Sequence, residues 1–279
     1  MTSPSFNQLL SMPAFEGLRV LRIYLENKPC DTIEALVELI NHIEPNALSY
    51  DLDAAIYLHN VVPKNAPHNG VMFYRACIGS LLSTTLPEWA KLITLGRGRF
   101  IKRLDSEEYR DIRSLFRQAK LLEDPPSLDD IGWWDSIQAC VRTQNDAEKL
   151  RRARQAEQLS IEYERNRIAD LSIFLEPRWM AIEDNTVGYD VLSYNPGEFG
   201  PLNKLIEVKS TIASPLRFFL TRNEWEQARK FGNSYVFHIW DMQKNPPMLY
   251  EKSILQIEPH VPHDNKKGKW KTALIPVGV

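Results

Sequence analysis

The chain has 279 residues, 43% of them hydrophobic, with 34 Lys+Arg against 36 Asp+Glu. That length fits one large domain or two ordinary ones, and the apolar share suffices for a sizeable core, which excludes wholesale disorder. The formal net charge of −2 neither demands nor excludes nucleic acid, because gripping phosphates takes only a local basic patch.

The N-terminus, MTSPSFNQLLSMPAFEG, lacks a basic segment followed by a long apolar one, so no signal peptide is expected. No apolar run approaches the roughly 18 residues that span a bilayer, and the chain is read as cytoplasmic, without membrane association. Three scattered cysteines, Cys30, Cys77 and Cys140, fit no disulfide framework and no zinc-ligand spacing.

Residues 1–148 read as an all-helical domain. TIEALVELINHIE carries apolar residues at three- and four-residue spacing behind the N-cap candidate Thr32. VMFYRACIGSLLSTTL is apolar enough for a buried helix. SEEYRDIRSLFRQAKLL places Tyr109, Ile112, Leu115, Phe116 and Ala119 on one stripe. SLDDIGWWDSIQACVR follows, its paired Trp133 and Trp134 read as core or interface. The charged stretch TQNDAEKLRRAR, residues 143–154, is the expected boundary, with helix continuity across it left open.

Residues 149–279 have a different texture. RQAEQLSIEYERNRIADLSIF reads as a helix, and then short β-rich runs follow: RWMAIED, VGYDVLSYN, KLIEVKST, LRFFL and SYVFHIW. Between the last two, Thr221 with Glu224 three residues on is a capping-box signature, and Gly232 marks the helix end. The fold class expected for the whole chain is α+β, with a central mixed sheet in the second domain.

The sharpest chemical feature is Glu207-Val208-Lys209 inside KLIEVKST. Alternate residues of a strand share a face, so Glu207 and Lys209 project together while Ile206 and Val208 face the other way. A carboxylate and an ammonium on an apolar strand are costly unless they pair or bind something. Asp190 lies seventeen residues upstream, behind Gly188, which permits a bulge or close backbone approach. If the two strands are hairpin neighbours across NPGEFGPLN, Asp190 and Glu207 converge. Two carboxylates beside a lysine suit Mg²⁺, with Mn²⁺ as substitute, bound by few protein groups and several waters. Such an ion lowers the pKa of a bound water and neutralises charge on a phosphate oxygen. Lys209 would orient or deprotonate the attacking water and stabilise the developing charge.

Asp190…Glu207-Val208-Lys209 resembles the D…(D/E)-x-K signature of the PD-(D/E)XK nuclease superfamily, with Tyr189 where the nominal proline would stand. More closely, AEQLSIEYERNR, VGYDVLSY, LIEVKST, FFLTRNEWEQA and SYVFHIW, within about residues 155–245, resemble the family typified by the NO VEIN protein C-terminal domain. The resemblance covers about a third of the chain. It implies a restriction-endonuclease-like αβββαβ core, which agrees with the order read above from the residues apart from one further strand before the second helix. It also implies a metal-dependent nuclease, most plausibly on DNA, in a host-defence, antiviral or restriction setting, often acting as a homodimer. The helical domain would then serve recognition, dimerisation or docking of a protein partner.

The resemblance draws attention to Glu157, whose position matches an additional acidic ligand supplied by a helix before the sheet. Its plainer reading is a helix charge paired with Arg154. Glu164, seven residues on and on nearly the same face, is read as pairing with Arg165-side neighbours or with Arg167. For nucleic-acid contact the candidates are Lys209, Ser210, Thr211, Asn223, Gln227 and, in DNKKGKWKT, Lys266, Lys267 and Lys269 around Trp270. His238 is read as a satisfied buried histidine. The rival class is a non-catalytic module that keeps the fold and binds nucleic acid or a protein partner.

Overall fold

Helix starts follow the local signals. In the computed structural model, which describes residues 4–27, 32–184, 187–264 and 268–278, Ser5, Thr32 and Asp51 accept hydrogen bonds from the first-turn N–H groups of their helices. The helices of the N-terminal unit are α1 (Phe6–Leu9), α2 (Met12–Asn27), α3 (Ile33–Ile43), α4 (Leu52–Val61), α5 (Gly70–Thr84), α6 (Arg97–Leu104) and α7 (Arg110–Gln118). The stripe read from the sequence is buried as expected, and Phe15, Phe73, Phe100 and Trp134 join it in one core. Trp134 stacks on Phe116, and the buried Arg75–Asp130 ion pair ties α5 to the start of the next helix. Cys77 and Cys140 are free thiols; Cys30 lies outside the described residues. Among the described residues no helix is long and apolar enough to cross a membrane.

Helix α8 runs without a break from Leu128 to Asp170, so the charged stretch 143–154 is helix and not a loop. The chain divides into the units Met1–Asp146 and Ala147–Val279, against an expected boundary at 148/149.

The second unit contains β1 (Arg178–Trp179), α9 (Met180–Glu183), β2 (Val191–Asn195), β3 (Leu202–Thr211), β4 (Arg217–Thr221), α10 (Arg222–Phe231), β5 (Tyr235–Asp241), β6 (Met248–Ser253), α11 (Ile254–Ile257) and β7 (Thr272–Pro276). The five-stranded sheet has the order β1-β2-β3-β5-β6 and is mixed: β3 pairs antiparallel with β2 and parallel with β5. A parallel pair needs a crossover, and β4 with α10 provides it. Thr221 and Glu224 form the expected capping box, and Gly232 ends α10 with φ of 56°.

Two readings of the strands need correction. RWMAIED is strand for only two residues and then turns helical, because the Ala181 N–H is taken by the Asp190 carbonyl instead of by a ladder partner. LRFFL leaves the main sheet and pairs with β7. Its alternation fits this pairing: Phe218 and Leu220 turn inward with Ala273 and Ile275, while Arg217 and Phe219 turn outward.

The central sheet buries two faces against different elements. Ile206, Val208, Val191 and Trp240 pack with Ala156 and Ile161 of α8. Leu205, Tyr235, Phe237 and Ile239 pack with Trp225 and Ala228 of α10 and with β4 and β7. Strand parity places Glu207 and Lys209 on this second face.

Candidate active site and metal centre

Register brings the predicted residues together. Val191 lies opposite Ile206 in the antiparallel β2–β3 pair, so Asp190, the residue before β2, lies opposite Glu207. Asp190 keeps the ladder going by donating its N–H to the Ile206 carbonyl at 2.9 Å. Its carboxylate then accepts the Val208 N–H at 2.8 Å, a bond that aims it at the strand carrying Glu207 and Lys209. Gly188 (φ 82°) makes the approach feasible: a Cβ there would stand 2.6 Å from Cγ of Gln227.

The Glu207 carboxylate is 6% exposed and touches two groups. Oε1 accepts from Nζ of Lys209 at 2.8 Å, and Oε2 lies 3.1 Å from the Tyr235 hydroxyl. That hydroxyl also lies 3.0 Å from the Gly188 carbonyl, and its single proton cannot serve two acceptors. The conflict resolves if Glu207 carries a proton, because Tyr235 then donates to Gly188 and accepts from Glu207. The electrostatics agree. Burial pushes Glu207 up to about 8, with the Asp190 and Glu224 charges adding to it and Lys209 opposing. Burial likewise pushes Asp190 up to about 6, opposed by the Val208 N–H and Lys209 and aided by Glu157 and Glu224. Two neighbouring buried carboxyls, both pushed up by burial and by other carboxylates, are a pair short of positive charge.

Lys209 resists its own burial because Glu207 and Glu224 hold its pKa above the ordinary lysine range. Nζ donates to Oε1 of Glu207 and to Oε2 of Glu224, each at 2.8 Å. The ammonium is therefore stably charged, which supports orienting a water and stabilising negative charge and speaks against the expectation that Lys209 deprotonates the water. Glu224 was visible only as a capping-box residue. Its Oε2 accepts the Thr221 N–H at 2.9 Å, so the cap that starts α10 also fixes the lysine. Tyr235, which opens β5, carried no signal in the sequence.

Glu157 is buried on α8, and its charge reaches Asp190. Its Oε2, however, accepts from Arg154 at 2.7 Å and from the Trp179 indole N–H. Glu157, Asp190 and Glu207 do not form a compact three-carboxylate group. Among the described residues, the one group of three or more ligand-type side chains with donor atoms within 4.8 Å of one another is Glu164, His238 and Glu251. Glu157 is thus engaged by Arg154 and Trp179, and its place as a third ligand is a proposal.

The Glu164 group lies on the α8 face of the sheet, away from Glu207 and Lys209, and already holds a cation. Nζ of Lys204 donates to Glu164 at 2.9 Å and to Glu251 at 2.6 Å. Arg167 closes on Glu164 at 2.7 Å, as the sequence spacing indicated. Burial raises Glu164, yet Arg167, Lys204 and Ser193 together keep it below the ordinary carboxylate range. The His238 bond and Lys204 hold Glu251 down to about 2. Burial lowers His238, and the neutral ring fits its bonds: Ser160, which accepts from Trp240, faces Nδ1, and Nε2 faces Glu251. This network is a satisfied buried one. Lys204→Met is expected to cost about 3–5 kcal/mol of stability by stranding buried carboxylates, while leaving any stabilisation by Mg²⁺ unchanged. Chemical denaturation with and without Mg²⁺ checks both parts.

The nucleic-acid candidates separate. Ser210 and Lys209 line a groove beside the carboxylates. Thr211 lines it too, but its hydroxyl donates to the Arg217 carbonyl at 2.7 Å and accepts the Ala213 N–H at 3.1 Å. That corrects Thr211 from phosphate contact to turn former. Gln227 occupies the space a side chain at 188 would fill, so it packs on Gly188. Asn223 is exposed on the first turn of α10. Lys269 lies near Asp264, which Arg222 binds through both oxygens at 2.6 and 2.8 Å. Lys266 and Lys267 fall outside the described residues.

No curated protein and no solved structure matches the chain. One protein family does. Residues 156–251, from the sheet-facing part of α8 to the Glu251 of β6 and including Asp190, Glu207, Lys209 and Glu224, match the family described as Protein NO VEIN, C-terminal, the family the sequence motifs resemble.

Proposed function

We propose that the second unit is a Mg²⁺-dependent nuclease that hydrolyses phosphodiester bonds in DNA, in the cytoplasm, in a host-defence or restriction setting. The single observation that carries the reading is the pair of buried carboxyls Asp190 and Glu207, both pushed up by burial, beside a charged lysine. Without a cation this arrangement is electrostatically unfavourable, and its oxygen-only donor set suits Mg²⁺ or Mn²⁺. Asp190 and Glu207 would hold the ion, which when bound supplies Lewis acidity and a water of lowered pKa.

The chain's own residues do the rest. Val208 N–H fixes the Asp190 carboxylate. Glu224 holds the Lys209 ammonium in place, where it can orient a water and meet the charge that develops on the phosphate. Tyr235 retains a hydrogen-bond partner whether or not Glu207 is protonated, because Gly188 also accepts from it. Two copies, each with one such site, would address the two strands of a duplex, and the helical unit would supply recognition, dimerisation or docking of a protein partner.

The test is incubation of the full chain with plasmid and with single-stranded DNA, in Mg²⁺ or in EDTA. Cleavage in Mg²⁺ that EDTA stops is the expected result. DNA binding without cleavage under any divalent ion would instead favour the non-catalytic module.

A further inference from the structure

Beside Lys209, wholly within the second unit, lies a groove of about 610 Å³. Lys149 and Arg152, one helical turn apart on α8, line one part of it, and Arg217 and Phe219 of β4 line another. None of its lining residues is acidic. Phe219 is 67% exposed, and its cross-strand partner Leu274 is 46% exposed. The outward face of the small sheet thus presents an aromatic ring beside an arginine, next to two further cations, and the groove runs into the Glu207–Lys209 pair.

Cations along a groove with an open aromatic face match the two needs of an unpaired nucleic-acid strand: charge neutralisation along the backbone and a platform for a base. In a duplex, both faces of each base are covered by neighbours, and Phe219 would have nothing to stack on. An acidic polypeptide would satisfy the cations but not require a flat ring.

We propose that this groove takes a single nucleic-acid strand, with its phosphates against Lys149, Arg152 and Arg217 and one base on Phe219. The inference rests on the nuclease reading of the adjoining carboxylates and names the form of substrate presented to them: an unpaired strand or a locally opened duplex. Neither Phe219 nor the three cations were legible as site residues in the sequence, since LRFFL reads as core strand and Lys149 and Arg152 as part of a charged boundary.

The experiment is fluorescence anisotropy on the full chain in EDTA, so that binding is read without cleavage. The probes are labelled oligothymidylate, a labelled duplex of equal length and labelled polyglutamate. Oligothymidylate is expected to bind more tightly than either of the others. Phe219→Ala should weaken it by about 5- to 100-fold, the usual range for losing one base–aromatic stack. Phe219→Trp should restore binding and Phe219→Leu should not. Arg217→Gln should lower the dependence of log affinity on log salt by about 0.7, as expected for one phosphate contact on a single strand.

Equal oligothymidylate affinity in wild type and Phe219→Ala, tighter duplex binding, or Phe219-dependent binding of polyglutamate would each overturn the groove assignment. The nuclease reading fails separately. Phe219-dependent strand binding in a protein that cuts nothing in Mg²⁺ or Mn²⁺ would sink only that reading, and Phe219-independent cleavage would sink only the groove.

Discussion

Asp190→Asn is expected to lower Mg²⁺-dependent cleavage on the order of 10³-fold while the protein stays folded. The asparagine carbonyl can still accept the Val208 N–H that Asp190 accepts at 2.8 Å, so the β2–β3 junction keeps its bond and loses only the charge that would face a metal. Lys209→Ala should abolish cleavage as well, but it removes the ammonium shared by Glu207 and Glu224. Breaking a buried ion pair in that way costs about 3–5 kcal/mol, so its effect on activity mixes chemistry with folding. Asp190→Asn is the cleaner variant. Circular dichroism together with initial cleavage rates in Mg²⁺ checks it: an asparagine variant as active as wild type would remove Asp190 from the chemistry.

The second large effect is on stability against pH. The folded-state values of Glu207, about 8, and Asp190, about 6, lie above those of free carboxyls. Well below pH 4 both folded and unfolded chains hold the protons, and neither group contributes a difference. Between about pH 4 and pH 8 the folded chain keeps protons that the unfolded chain releases. The contribution of these two groups to stability therefore falls as pH rises through this window, the reverse of an ordinary salt-bridged carboxylate, while buried His238, held low, contributes in the opposite sense. Lys209 is raised as well, but its titration lies above the window.

The expected loss without metal is on the order of 3 kcal/mol from Glu207 alone. Glu207→Gln should flatten the curve and leave the metal-free protein more stable than wild type at pH 8. Mg²⁺ should recover much of the loss in wild type and little in the variant, because an ion that binds only the folded state stabilises it by mass action. Urea denaturation at pH 5 and pH 8, with EDTA or Mg²⁺, gives all four comparisons. The same change in stability from pH 5 to pH 8 in EDTA for wild type and Glu207→Gln would contradict the electrostatic account of the site.

How much of this was legible beforehand follows from which forces are local. The helix caps, the α10 capping box, the order of strands around the site and the Asp190/Glu207/Lys209 set could be read because each depends on residues close in sequence or on the two-residue period of a strand. Glu224 was half legible. Its spacing from Thr221 announced a cap, but only the folded crossover brings that cap to Lys209.

What the sequence left open was set by longer-range pairing. LRFFL carries a strand pattern that suits either sheet, and only β7, more than fifty residues on, decides in favour of the smaller one. Lys204 shares a strand with Glu207 and Lys209 but, by parity, points to the other face. There it meets Glu164 and Glu251, a partnership no local spacing foretells. The polar composition of residues 143–154 suggested a linker, whereas such residues also suit a solvated helix, and α8 continues through them.

The central claim is that Asp190 and Glu207 share one divalent cation beside Lys209. Anomalous diffraction from crystals soaked in Mn²⁺ tests it most directly. A single strong peak within coordination distance of oxygens from both Asp190 and Glu207, absent in Asp190→Asn, is the result this account predicts. A peak at Glu164, His238 and Glu251 with none at Asp190 and Glu207 would contradict it.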